Sequence, residues 1–369
     1  MGWERFVGNA RAVEALRHMI AEQRMPQSLA LAGPEGVGKF LMATMAARAL
    51  NCEREAARRD GDFCGVCSPC RVLAPLENSA DHPELGPLVA ERGKLSAEER
   101  RDNPLLIGTH PDVLVLPPDG KAHLITIHQV RRMASLAQYR PTGARHRVFI
   151  LDGAERMDEV AASAMLKVLE EPPPATVLLL VATSYFALLP TIRSRAYPLR
   201  LGPLAAGDVE RLLPPEWSAA DRSLAARLAE GSPGAARRLD LAESRRLRGD
   251  LLEIIRAGAM PGEGGTFGTL FSRTQSLAQS RDQTLERLLA VLYTLLHDLA
   301  YLVVARERGR KPSPLRNIDL ERELAAVVAR ADWEWIERAA ARLDRLQRLL
   351  RRNINKQVAL EAFAVSLRR

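Results

Sequence analysis

One stretch constrains this chain more than any other. Gly33-Pro-Glu-Gly-Val-Gly-Lys-Phe40 carries glycines at Gly33, Gly36 and Gly38 followed by Lys39. That is the order of a phosphate-binding loop, G-x-x-x-x-G-K-[ST], at every position but the last. The apolar run Ser28–Ala32 precedes it and the alanine-rich, breaker-free run Lys39–Leu50 follows it. Strand, glycine loop and helix in that order are the context such a loop requires. Phe40, however, stands where a hydroxyl would hold Mg²⁺.

The surrounding pattern supports a three-layer α/β domain. Ala10 to Ile20 reads as an amphipathic helix, with Val13, Leu16, Met19 and Ile20 at helical spacing. Strands are expected at His110–Leu116, Arg147–Asp152 and Thr176–Ala182, the last apolar enough to be buried on both faces of a parallel sheet. Helices are expected at Ile127–Tyr139 and at Ala161–Glu171, the latter stopped by Pro172-Pro173-Pro174. Residues 75–109 are polar, with several prolines and glycines, and read as an insertion or flexible excursion. Beyond Pro203 strand signals stop. A small helical unit over 203–243 and a longer helical region over 244–369 follow, with a glycine-rich loop from Gly258 to Gly268.

All four cysteines lie at Cys52, Cys64, Cys67 and Cys70, spaced C-x11-C-x2-C-x2-C. Closely spaced cysteines in tight turns present thiolates to one tetrahedral Zn²⁺, and Gly65 and Ser68-Pro69 are suitable turn residues. No open coordination position or catalytic partner is apparent, so the site reads as structural. An apolar content of 47% and a charged content of 27% describe an ordinary soluble globular protein. With no cleavable leader and no apolar run of about 18 residues, a cytoplasmic protein that avoids membranes is expected. The net charge of +8 suits acidic partners such as nucleic acid, but arginine-rich compositions also arise from GC-rich genomes.

Two further stretches bear on chemistry. Arg147–Asp152 ends in a carboxylate, Asp152, at the position that organises Mg²⁺ in phosphate-loop ATPases. The next residue is Gly153 rather than the Glu that activates water in many of them; Glu155 lies two residues on and is expected to point elsewhere. Asp152 is alternatively a helix cap. Leu189-Pro-Thr-Ile-Arg-Ser-Arg-Ala196 follows the last expected strand, and an arginine there can serve a neighbouring subunit or simply be a solvated charge.

Together these stretches resemble the AAA+ clamp-loader subunits of bacterial DNA polymerase III, nearly end to end. Trp3-Glu-Arg-Phe-Val-Gly-Asn9 is similar to the family's opening motif, and the cysteine insertion to its zinc module. His110-Pro-Asp112, the helix start at Ile127–Arg131 and above all Ala164-Met-Leu-Lys-Val-Leu-Glu-Glu-Pro-Pro173 are typical. Thr191–Arg195 resembles the Ser-Arg-Cys motif, with Ala196 in place of its Cys. Asn353-Ile-Asn355 and Ala359-Leu-Glu361 resemble the end of the collar that joins five subunits in a ring.

The resemblance implies an AAA+ (RecA-like parallel sheet) domain over 1–202 with a zinc module at 52–70, a helical lid over 203–243 and an all-α collar over 244–369. It implies a nucleotide site formed by Val7, Gly8, Gly33, Gly36, Gly38, Lys39, Asp152 and Thr183, and an arginine finger, Arg195, acting in trans. Phe40, Gly153 and, in Gly231-Ser-Pro-Gly234, a glycine at the lid arginine's position make that site degenerate. ATP or ADP binding is therefore expected to be weak or absent, and no intrinsic ATPase is expected. The implied role is a non-hydrolysing subunit of the DNA-directed DNA polymerase holoenzyme. Its implied partners are gamma/tau motor subunits, delta, the sliding clamp and, through the complex, primed DNA. The alternatives are a gamma/tau-like motor that hydrolyses ATP, and an unrelated zinc-containing nucleic-acid binder. An aromatic content of 5% gives the latter few stacking platforms.

Overall fold

The structure, a computed structural model, describes residues 2–78, 91–92, 94–260, 267–279, 284–309, 315–349 and 355–367. By packing the chain divides into Met1–Val209 with Gly231–Ala235, and Glu210–Glu230 with Ala236–Arg369.

The first unit is built on six strands: β1 (Ser28–Ala32), β2 (Ile107–His110), β3 (Val113–Leu116), β4 (Arg147–Asp152), β5 (Thr176–Ala182) and β6 (Tyr197–Arg200). Their order is β2-β3-β4-β5-β1-β6, parallel throughout except for the β2–β3 pair. This is the α/β class, built on a mostly parallel sheet, that the sequence leads one to expect. Every residue of β1 and β5 is buried, which is why these strands are continuously apolar rather than alternating. Phe149, Leu151, Leu178 and Leu180 share one core with Met133 and Met165 from the helices Ile127–Ala137 and Glu159–Glu170. Each fully buried leucine contributes about 1.5–3 kcal/mol. Helix α1 (Ala10–Ala21) precedes β1, and α2 (Lys39–Leu50) follows the glycine loop. Alanines at 43, 46, 47 and 49 let α2 lie close against the strands, and it is buried along nearly its whole length.

The strands β1, β4 and β5 and the helix α2 have the expected bounds; the departures are local. The segment expected as one strand, His110–Leu116, is a hairpin, β2 turning into β3, so residues 107–109 belong to the sheet rather than to an excursion. Asp112, at the turn, accepts N–H bonds from Thr142 and Gly143 and an ion pair of 2.6 Å from Arg147. Elsewhere in 75–109 the described residues are anchored: Arg92 pairs with Asp119 at 2.8 Å, both buried, and Ser96 and Glu99 form a reciprocal helix cap. The last core strand is not β5 but β6, a four-residue edge strand that pairs with β1. With three of its four residues exposed and a proline among them, it was hidden from periodicity.

The second unit is helical. Leu241–Ala259, Leu285–Glu307, Trp333–Leu349 and Lys356–Ser366 pack around Leu251, Leu292, Leu343 and Phe363. Arg248, fully buried, donates to Asn317 and Asp319, and the buried Asp298 accepts from the backbone of Arg316 and Asn317. Gly258 is not in a loop but in a helix, where a Cβ would come within 2.4 Å of Leu367. Gly268 also falls in a helix, Phe267–Gln279, and residues 261–266 lie outside the described residues. Asn353 and Ile354 are outside them too, whereas Asn355 caps Lys356–Ser366. Contrary to the expectation of no long apolar run, Leu285–Glu307 is long and apolar enough to cross a membrane. Its Leu288, Leu292, Leu295, Leu299 and Val303 are buried in this core, which accounts for the apolarity.

Candidate functional site

The glycine loop leaves β1 at the carboxyl end of the sheet. Gly36 and Gly38 have φ of +74° and +98°, left-handed conformations that favour glycine. Lys39 is buried and folds back on its own loop, donating to the carbonyls of Gly33 at 2.7 Å and Pro34 at 2.6 Å. Burial pushes its pKa down, against the pull of Glu155, Asp152 and Glu35. Burial raises the Asp152 carboxyl, with Lys39 opposing. Asp152 caps no helix: Gly153 holds the position before the next turn, and Asp158 caps Glu159–Glu170.

Glu155 does not point elsewhere. Gly153, at φ +74°, turns the chain back, and the short helix Ala154–Arg156 brings Glu155 over the end of the sheet. There its Oε1 accepts the backbone N–H of Thr183 at 3.1 Å, and its charge is the strongest carboxylate influence on Lys39. Sequence spacing had no means of placing it, because the reversal depends on one backbone angle.

The loop is also covered. Ser232 Oγ donates to the Glu35 carbonyl at 2.8 Å and the Gly234 N–H to the Gly36 carbonyl at 3.0 Å. A Cβ at Gly36 would lie 2.3 Å from Ser232 Oγ. Of the remaining expected nucleotide residues, Val7 and Gly8 are half-buried, Gly8 lies beside Leu204, and the neighbouring Asn9 amide makes paired bonds with Gly202. Thr183 is exposed at the end of β5. The structure thus gathers Gly33, Gly36, Gly38, Lys39, Asp152 and Thr183 at one end of the sheet. The loop keeps left-handed glycines at 36 and 38, and Phe40 offers no oxygen to a metal.

The four cysteines converge as expected. The Sγ atoms of Cys52, Cys64, Cys67 and Cys70 all lie within 4.8 Å of one another, and none is in a disulfide. Backbone N–H groups of Cys64 and Cys67 point at the sulfurs of Cys52 and Cys64, each over 3.4 Å. Burial raises the Cys52 and Cys70 thiols; at Cys64 burial is outweighed by N–H bonds from Val66 and Cys67, which bring the thiol to about 6. Four thiols gathered this closely with N–H donors fit Zn²⁺, and the ion would cross-link the segments on either side of α3 (Glu55–Arg59) with the start of α4 (Ser68–Leu73). Around them Arg48 pairs with Glu77 and lies 4.4 Å over the Phe63 ring. Trp3 donates its indole N–H to the Gly61 carbonyl at 2.9 Å and packs edge-on against Phe6 and Phe63.

Arg195 follows the one-turn helix Pro190–Arg193 and is exposed. Its guanidinium donates to the Thr191 carbonyl at 3.1 Å, to Ser194 Oγ at 3.0 Å and to Glu170 at 2.6 Å. Glu170 escaped the sequence reading, although it sits in the stretch Ala164–Pro173 singled out as typical. Arg193 instead stacks 5.3 Å over Phe186.

A family model described as "DNA polymerase III, delta subunit" matches residues 8–205. The DNA polymerase III subunit delta' of Pseudomonas aeruginosa is 36% identical over 234 residues, 61% of this chain and 59% of that relative. The gamma/tau subunit of Mycobacterium tuberculosis is 30% identical over 200 residues, 53% of this chain and 28% of that one. The chain thus spans little more than half of the first relative and under a third of the second. A solved structure of a gamma subunit-related protein from Thermotoga maritima aligns with a TM-score of 0.44 at 17% identity, over 97% of this chain and 98% of that one. With the family model running over more than half of its length, the chain belongs to the DNA polymerase III delta-subunit family, the clamp-loader group that includes delta prime and gamma/tau.

Proposed function

We propose that this chain is the delta prime, or stator, subunit of the clamp loader: a cytoplasmic zinc protein that assists ATP-dependent loading of the sliding clamp on primed DNA without hydrolysing ATP itself. The observation that carries the reading is the glycine loop, whose Lys39 is bonded to Gly33 and Pro34 and whose Gly36 is bonded to Gly234. Phe40, Gly153 and Gly234 stand in place of the metal hydroxyl, the adjacent base and a lid arginine, so three parts of the hydrolytic apparatus would be missing together. Residues 1–202, 203–243 and 244–369 would then act as nucleotide-binding-like domain, lid and collar. Arg195, exposed at the end of its turn, would reach a motor subunit's transferring phosphoryl group, where a planar guanidinium stabilises developing charge. Its partners would be gamma/tau and delta in a five-membered ring.

One observation favours the second reading, a gamma/tau-like motor: Glu155 lies near Lys39 and is a carboxylate at the loop. Measuring ATP turnover by the isolated chain, and its assembly with motor subunits, separates the two. The stator reading expects no turnover and stoichiometric incorporation of one copy. Robust turnover abolished by Lys39→Ala would overturn it.

A further inference from the structure

At the opposite end of the sheet from the glycine loop, where β1, β4 and β5 begin, a cavity of about 500 Å³ opens. Its size is that of a small-ligand pocket. Three guanidinium-bearing residues line it, Arg58 and Arg59 from α3 and Arg145 from the approach to β4. Among the described residues Glu55, bonded to Arg59 at 2.5 Å, is the one carboxylate in its wall. Arg58 is held toward the wall by its bond to the Cys52 carbonyl, 3.0 Å. Arg145 makes no ion pair among the described residues, and its backbone N–H and that of His146 are fixed by Asn51 Oδ1 at 3.1 and 2.8 Å. Positive charge is therefore gathered in excess at one cavity.

The rest of the wall is not that of a bare anion site. Ile20, Met25, Leu50 and Val177 supply apolar surface, and Gln23 and Gln27 supply amide groups. His146 adds a buried Nδ1 that has no hydrogen-bond partner. Cations beside apolar and amide surface match a molecule with a phosphate at one end and a flat heterocycle at the other. From this we infer that the cavity is a nucleoside-phosphate site distinct from the glycine loop, with Arg59 and Arg145 gripping the phosphate.

The test is calorimetric titration of the full chain with ADP, and with adenosine as the phosphate-free control. Arg59 and Arg145 are both exposed, so their replacement opens no core cavity. The expected result is ADP binding that survives Lys39→Ala within about twofold and weakens at least about tenfold in the Arg59→Ala/Arg145→Ala double variant. Adenosine should bind at least about tenfold more weakly than ADP. Hydrogen exchange on the unaltered chain gives a second readout: ADP should protect residues 55–59 and 145–147. Absence of ADP binding, its loss in Lys39→Ala, indifference to the arginine replacements, or a stronger response of these segments to a single-stranded oligonucleotide than to ADP would each overturn the inference.

Discussion

Gly234 and Gly36 meet backbone to backbone: the Gly234 N–H donates to the Gly36 carbonyl over 3.0 Å, and a Cβ on Gly234 would lie 3.0 Å from Gly36 Cα. Glycine at both positions is what allows the approach. A side chain at 234 would press on the Gly36 backbone, which would have to give by a few tenths of an ångström.

Restoring the missing side chains should accordingly fail to restore turnover. In Phe40→Thr/Gly153→Glu the threonine regains a metal ligand. The glutamate, however, must adopt the left-handed conformation of Gly153, at about 1–2 kcal/mol, and the loop remains covered. The expected ATPase rate of the isolated double variant equals the background of the parent chain. A gain that depends on Lys39 would show that closure is not what prevents hydrolysis.

Arg195→Ala should leave assembly intact and slow DNA-stimulated ATP hydrolysis by the reconstituted complex. A finger in trans is worth about 10³–10⁵ at its own site, but the other interfaces keep theirs, so the drop in the whole complex is smaller. Arg195→Lys should do nearly as badly, because an ammonium lacks the planar fork, and Arg193→Ala should do less. Wild-type rates of hydrolysis and clamp loading in the Arg195→Ala complex would remove the trans role.

Glu170 holds Arg195 at 2.6 Å on an exposed surface, so the pair itself contributes little to stability. Glu170→Gln should leave the melting temperature unchanged within error. In the complex it should shift hydrolysis, whereas a finger that needs no positioning would leave the rate of the Glu170→Gln complex at the parental value.

Purified protein should contain one Zn²⁺ per chain, measurable by elemental analysis. Chelation should lower the melting temperature and loosen hydrogen exchange first around 52–70, because the ligand set folds with its metal. Well under one zinc, with the cysteines paired as disulfides, would refute the assignment.

The buried Asp112–Arg147 pair predicts a pH dependence. Burial works against the ionised carboxylate, but Arg147 and the N–H groups of Gly143 and Thr142 hold its pKa below the ordinary range. A depressed folded-state pKa means stability that is present above the unfolded value of about 3.9 and lost as pH falls through the folded one. Asp112→Asn should cost about 3–5 kcal/mol at neutral pH, by leaving Arg147 buried without its countercharge. It should also flatten the acid limb of the melting curve. An acid limb identical to the parent's would assign the pH dependence to other groups.

The central strands and α2 were legible to the residue because full burial writes itself as continuous apolar sequence between glycine and proline breaks. Edge elements were not: β6 has one buried side chain in four, and β2 reads as a polar loop until its hairpin partner is known. The cysteine cluster and the glycine loop were legible because their chemistry requires particular residues at particular spacing. The placement of Glu155 and the covering of Gly36 were not, since each follows from a backbone reversal that brings distant residues together. The long apolar run Leu285–Glu307 went unmarked, and it is a core helix as apolar as a membrane span.

The two ends of the sheet also bear on how a chain like this keeps to its proper neighbours. A strand at a sheet margin offers unpaired amides to any passing chain. Here one margin, β6, is four residues long and carries Pro198, which has no N–H to offer; the other, β2, is equally short and its pairing is interrupted by a register shift. Neither margin can template a further strand of useful length. Recognition at these margins must fall to side chains, which discriminate between partners where bare backbone does not.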